Sequence, residues 1–170
     1  MKLDKLGVAY MVTGGSAVSF WGQVRTTADI DIVVQIPPSD IPGLVAAIKD
    51  EAYIDEEEVI QAVSAKRMFN VIHNRTVFKV DFAVMDGANS YAKEAFSRRK
   101  RLDFAGQPLW VISPEDLVLS KLRWMQSAGG SERQQQDCRS IMELNKGALN
   151  VKYMEKWAPI IGVEKEYRAL

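Results

Sequence analysis

Two glycines that end one apolar run, and two aspartates spaced two apart on the next, constrain this chain more than any other feature. Residues 10–13 form a short apolar stretch that stops at Gly14-Gly15-Ser16, and Asp29-Ile30-Asp31 follows after a twelve-residue spacer. The first segment reads as a buried strand running into a tight turn. Glycines there let the backbone come close to a ligand, because no Cβ intervenes. A helix opening at Ser16, with Ser16 as its N-cap, would turn free N–H groups toward an anion, most naturally a phosphate. Asp29 and Asp31 project from one face of their strand. Adjacent carboxylates repel each other and are costly to bury unpaired, a cost that bound Mg²⁺ would relieve. Hard oxygen ligands beside a triphosphate are the usual way a protein holds magnesium. A third acid, Asp81, is set among Val80, Phe82, Ala83 and Val84. Completing a metal site is one reason for an acid in so apolar a strand.

A length of 170 residues favours one domain, or a domain with a small helical appendage. The 22 basic and 22 acidic side chains cancel, which excludes a strongly basic nucleic-acid coat but leaves room for a local basic groove. A single cysteine, Cys138, excludes intrachain disulfides and cysteine-rich zinc sites and points to a reducing compartment. The single histidine, His73, excludes a multi-histidine metal site. No apolar run is long enough to span a membrane, and residues 1–7 lack a signal-peptide core, so a soluble cytoplasmic protein is expected.

Strands are expected over residues 10–13 and 29–36, and over 69–73 and 77–84 as a hairpin around Asn74-Arg75. Residues 102–106 and 109–112 read as extended. Helices are expected over 16–21, 39–51, 56–66 and 88–101. From Ser113 onward the pattern turns helical: Ser113-Pro114-Glu115-Asp116 is a helix start, Gly129-Gly130 a stop, and Ser131 the next cap. Two further helical pieces follow Gly147, broken at Pro159 and Gly162. The sum is an α/β or α+β core, residues 1–112, with a helical C-terminal region, 113–170, packed on it.

Gly-Gly-Ser, a spacer, Asp-x-Asp and a later lone strand Asp together resemble the nucleotidyltransferase superfamily that includes DNA polymerase β. The run Arg25-Thr26-Thr27-Ala28-Asp29-Ile30-Asp31 is similar, more particularly, to minimal bacterial nucleotidyltransferases of the AbiEii type, many of them toxins of toxin–antitoxin pairs. Ser113-Pro114-Glu115-Asp116-Leu117 through Lys121, then Asp137, resembles that group's later Lys and Asp motifs. The likeness implies a nucleotidyltransferase-like mixed sheet flanked by helices. It also implies transfer of a nucleoside monophosphate from an NTP to an acceptor, with release of pyrophosphate. On that likeness Asp29 and Asp31 would bridge two Mg²⁺ ions about 3.5–4 Å apart. Asp81 would bind the metal that activates the acceptor and take its proton. Gly14, Gly15 and Ser16 would cradle the β- and γ-phosphates, and Lys121 would meet phosphate charge. Asp137 would orient Lys121 or contact the base or acceptor. An RNA acceptor such as tRNA and an antitoxin protein partner belong to the same implication.

Each of these residues also has a plainer reading. Asp81 could pair with Lys79 on its strand face. Lys121 falls in an inward stripe, with Leu117 and Met125 four residues either side and Val118 three before, but could snorkel to solvent. Asp137 could form an i,i+4 pair with Arg133. Arg25 could clamp a phosphate or cap a strand edge, and Thr27 could bond near the metal site or simply favour extended backbone. The run Arg98-Arg99-Lys100-Arg101 reads as a solvated helix end, with an RNA-backbone contact as the other reading. Trp21, Trp110, Trp124 and Trp157 fall in apolar patterns and read as core. His73 reads as exposed and inert. Besides RNA modification, two functions stay open at this point: a small-molecule, antibiotic-type nucleotidyltransferase, and an inactive binding module of the same fold.

Overall fold

The computed structural model describes residues 2–127 and 131–170. Its strands are β1 (Ala9–Thr13), β2 (Asp29–Gln35), β3 (Ala52–Tyr53), β4 (Met68–His73), β5 (Lys79–Val84), β6 (Lys100–Phe104) and β7 (Gln107–Val111). They form one sheet in the order β3-β4-β5-β2-β1-β7-β6. The β2–β5 and β1–β7 pairs are parallel and the others antiparallel, so the sheet is mixed. Tyr10, Met11 and Val12 are all buried, which means that β1 is covered on both faces. The helices are α1 (Lys2–Lys5), α2 (Gly14–Trp21), α3 (Ile41–Ile48), α4 (Glu56–Ala65), α5 (Ser90–Ser97), α6 (Pro114–Ser127), α7 (Glu132–Leu144), α8 (Val151–Ile160) and α9 (Glu164–Arg168).

The mixed α/β architecture and the helical C-terminal part agree with the sequence. α6 is the hub of that part, touching α2, α7, α8 and α9. It buries Leu117, Val118, Leu119 and Leu122, each worth about 1.5–3 kcal/mol on transfer out of water. Ser131 caps α7 as expected, accepting from the Gln134 N–H. The stop expected at Gly129-Gly130 lies outside the described residues.

Several expectations need correction. Ser16 is not an N-cap: α2 already starts at Gly14, where a φ of 60° turns the strand straight into the helix. The helix expected over 88–101 covers only Ser90–Ser97, capped by Asn89. Its last residues instead form β6, in a hairpin with β7 around the positive-φ pair Ala105-Gly106. Pro108 is tolerated because β7 meets β1 only at Val12↔Val111, well past the proline. Short β3 escaped the pattern because two residues carry no period.

The basic run is not a solvated helix end either. Arg98 reaches Glu115 at 3.0 Å and Asp116 at 3.2 Å and lies 3.8 Å over the Tyr153 ring. Arg99 stacks on Phe96 and Trp110. Arg98 thus ties the end of α5 to α6 and α8, and Arg99 ties it to β7, so both guanidiniums are engaged within the fold. His73 is half-buried rather than exposed, its Nδ1 2.9 Å from the Thr76 hydroxyl. Trp157 is in the core, but Trp124 is 65% exposed, against expectation.

Candidate active site

Parallel pairing of β2 with β5 sets Asp31 beside Asp81 and Asp29 beside Lys79. Period 2 puts all four side chains on one face. The β1–α2 turn closes over this face, with Thr13 paired to Asp31. A Cβ on Gly14 would overlap the Asp31 carboxylate, so space as well as φ demands glycine there. At Gly15 a Cβ would come within 2.8 Å of Thr27 Oγ1. The Gly15 N–H points at Asp31 Oδ2 over a long 3.4 Å, and the Thr27 hydroxyl donates to Asp29 Oδ1 at 3.1 Å. Thr27 is therefore a support for Asp29. Ser16 stands behind the turn: its hydroxyl donates to the Asp29 carbonyl at 3.1 Å, and it does not line the cleft.

Burial, then the charges of Asp29 and Asp81, hold the Asp31 carboxyl above the usual carboxylate range, with partial relief from the Gly15 N–H and Lys121. Asp81 is 7% exposed. Its Oδ2 lies 2.7 Å from Lys79 Nζ, the plain pairing anticipated above, while its buried Oδ1 has no hydrogen-bond partner.

Across a cleft of about 540 Å³ stands a cationic wall of Arg25, Lys121 and Arg133, with Gln134. Asp137 lies behind this wall, buried between two cations from distant parts of the chain. Arg25 grips it with both fork nitrogens, Nε and an amino group, each at 2.9 Å. Lys121 Nζ reaches it at 2.8 Å and Gln134 Oε1 at 2.9 Å. Burial would raise the Asp137 pKa, but the hydrogen bonds and charges of Arg25 and Lys121 prevail and hold it below the ordinary value. The i,i+4 pairing of Asp137 with Arg133 does not occur. Arg133 donates instead to the Thr26 carbonyl at 3.2 Å.

The structure thus brings Gly14, Gly15, Arg25, Asp29, Asp31, Asp81 and Lys121 to one cleft and leaves Ser16 and Asp137 behind it. Sequence reasoning missed Gln134, Ser120 and the exposed Trp124 as lining residues. For Trp124 the helical spacing from Lys121 was the available signal.

The donor set suits a hard divalent cation: three carboxylates on adjoining strands, one oxygen orphaned, and a carboxyl whose ionisation its neighbours oppose. As arranged, no three His, Cys, Asp or Glu side chains among the described residues close on one point. Asp81 leans to Lys79 instead.

A family model described as "nucleotidyltransferase of unknown function" (DUF6036) matches residues 1–168. No curated protein matches the sequence. Among solved structures, the antibiotic-resistance factor ANT(2")-Ia in complex with adenylyl-2"-tobramycin is similar at 13% identity and a TM-score of 0.62, over 94% of this chain and 90% of that one. An antigenic nucleotidyltransferase-like protein from Paracoccidioides brasiliensis is similar at 17% identity and a TM-score of 0.54, over 99% and 86%. The Megavirus polyadenylate synthase is similar at 13% identity and a TM-score of 0.51, over 83% of this chain and 28% of that one. These are likenesses of fold.

Proposed function

The chain belongs to the nucleotidyltransferase family whose model spans residues 1–168, and we propose that its cleft moves a nucleoside monophosphate from an NTP to an acceptor hydroxyl. One observation carries this reading. Asp29, Asp31 and Asp81, the last with an orphaned oxygen, face Arg25, Lys121 and Arg133 across a single cleft. One wall suits cations and the other suits phosphates.

Asp29, Asp31 and Asp81 would hold Mg²⁺, two ions by the family resemblance. Bound there, the metal supplies charge neutralisation at the phosphates and a more acidic acceptor hydroxyl. Gly14 and Gly15 let the β1–α2 turn lie directly against Asp31 and Thr27, and the backbone N–H groups of that turn would meet the β- and γ-phosphates. Lys121, Arg25 and Arg133 meet the charge of the departing pyrophosphate. The acceptor oxygen bonds to the α-phosphorus, and the bond from that phosphorus to the pyrophosphate oxygen breaks, its electron pair leaving with pyrophosphate. The hydroxyl proton passes to the Asp81 carboxylate. Asp137 touches no substrate in this scheme; it positions Arg25 and Lys121.

We assign the acceptor hydroxyl to RNA, tRNA included. The AbiEii resemblance extends this to a growth-inhibiting toxin restrained by an antitoxin protein. The test is transfer of label from each α-³²P NTP, with Mg²⁺, into total cellular RNA, beside Asp29→Ala. Label that vanishes in the variant is the expected result. Transfer to small molecules only would overturn the RNA assignment, and no transfer to any acceptor would overturn the activity. Growth arrest on expression of the wild type but not of Asp29→Ala is expected of a toxin.

A further inference from the structure

Trp124 leaves 65% of its surface in solvent on a helix that buries Leu117, Val118, Leu119 and Leu122. It lies one turn beyond Ser120 and Lys121, on the same face of α6. Trp124 lines the catalytic cleft. It also lines a second hollow of about 430 Å³, with Tyr91, Ser120, Arg123 and Ser127. Trp124 and Ser120 are thus common to both spaces.

The second hollow has a definite chemistry. Ser120 and Ser127 donate to carbonyls of their own helix, at 2.9 and 3.1 Å, and so present lone pairs outward. Arg123 makes no hydrogen bond or ion pair through its side chain among the described residues, and no carboxylate lines the hollow. An aromatic face, a guanidinium and hydroxyl acceptors together suit a flat heteroaromatic ring that carries NH groups and a phosphate. A polycationic acceptor would meet Arg123 with no acid to balance it.

We propose that this hollow is the acceptor subsite and takes an unpaired RNA end, with a base stacked on Trp124 and its phosphate at Arg123. The terminal hydroxyl is then presented past the indole to the carboxylate cleft. This rests on the reading of the cleft as one that transfers nucleotides to RNA.

The test is fluorescence anisotropy of a labelled single-stranded RNA hexamer, without NTP, on wild type, Trp124→Ala, Trp124→Phe and Arg123→Ala. Trp124→Ala should weaken binding about tenfold or more, and Trp124→Phe should keep most of it. Arg123→Ala should weaken binding and reduce the slope of log K against log salt by about 0.7, one phosphate contact on a single strand. No hexamer binding by the wild type, or equal affinity in all four proteins, would overturn the subsite. So would a Trp124→Ala protein with a raised KM for NTP and unchanged hexamer affinity, since the indole would then serve the donor nucleotide. Because no NTP is present, the two readings fail separately: a failed transfer assay with retained, Trp124-dependent hexamer binding would sink the proposed activity and with it the acceptor role, leaving only an RNA-binding hollow.

Discussion

Asp31 sits half-buried between Asp29 and Asp81, and burial together with those charges makes its ionised form costly. The same ionised form is the one that a cation needs. Asp31→Asn removes the charge, and the amide oxygen can still accept from the Gly15 N–H. Without metal, the variant should be more stable at neutral pH by on the order of 1 kcal/mol after solvent screening. That corresponds to about 2–4 °C in Tm for a chain of this size. Nucleotide transfer should be lost. Thermal melts in EDTA, paired with the labelling assay, check both; a lower Tm would mean that the carboxylates do not strain the fold. At this scale Asp29 and Asp31 were legible, because a two-residue spacing on a strand dictates a shared face. Lys121 was legible too, from the apolar stripe around it. The place of Ser16 was not. Gly14 starts the helix two residues earlier, and no local signal ranks a glycine turn against a serine cap.

Among elements, the buried group Arg25–Asp137–Lys121 joins the β1–β2 connection to α6 and α7. Lys121 is 3% exposed, so removing its partner leaves a buried cation. Asp137→Ala should cost about 3–5 kcal/mol at pH 7. The sign of the pH dependence follows from the depressed Asp137 pKa. Its stabilisation is complete above the unfolded value, about 3.9, and is lost as pH falls through the lower folded value. The Tm gap between wild type and Asp137→Asn should therefore be widest near neutrality and close progressively below about pH 4. A gap that stays constant into acid would mean that the charge of Asp137 is not what holds α7 to the core. The α6 and α7 starts were readable from Ser113-Pro114 and Ser131, because caps are local chemistry. The β6–β7 hairpin was mistaken in part for helix. Its strand is set by cross-strand partners such as Arg101↔Trp110, which no helical period encodes.

For the whole molecule, Cys138 reports how the parts hold together. It is fully buried, and burial pushes its thiol up to about 12, so it is inert while α6 and α7 are closed. We propose that the catalytic core, residues 1–112, and the helical region, 113–170, open as one unit. Arg25 holds Asp137, the Gln23 N–H donates to the Ser140 hydroxyl, and the Asn145 amide donates to the Trp21 carbonyl, so each region completes the other. In urea, labelling of Cys138 should then coincide with loss of far-UV circular dichroism. Labelling at clearly lower urea would show the helices opening alone. By itself the sequence determined the glycine turn, the face shared by Asp29 and Asp31, the mixed α/β order and the inward stripe of α6. Each of these follows from periods of 2 or 3.6 and from the conformational needs of single residues. Asp81 joins the face of Asp29 and Asp31 only through the register of β5 on β2. Tertiary structure alone decided which partner each charge takes and which aromatic stays outside. Asp137 had Arg133 four residues away and chose Arg25, 112 residues away. A solvated i,i+4 pair is worth about 0.2–0.5 kcal/mol, whereas a buried carboxylate must be paired or pay its full desolvation. Trp124 matches the spacing of a core residue, but a period names a face of a helix and not what comes to cover it.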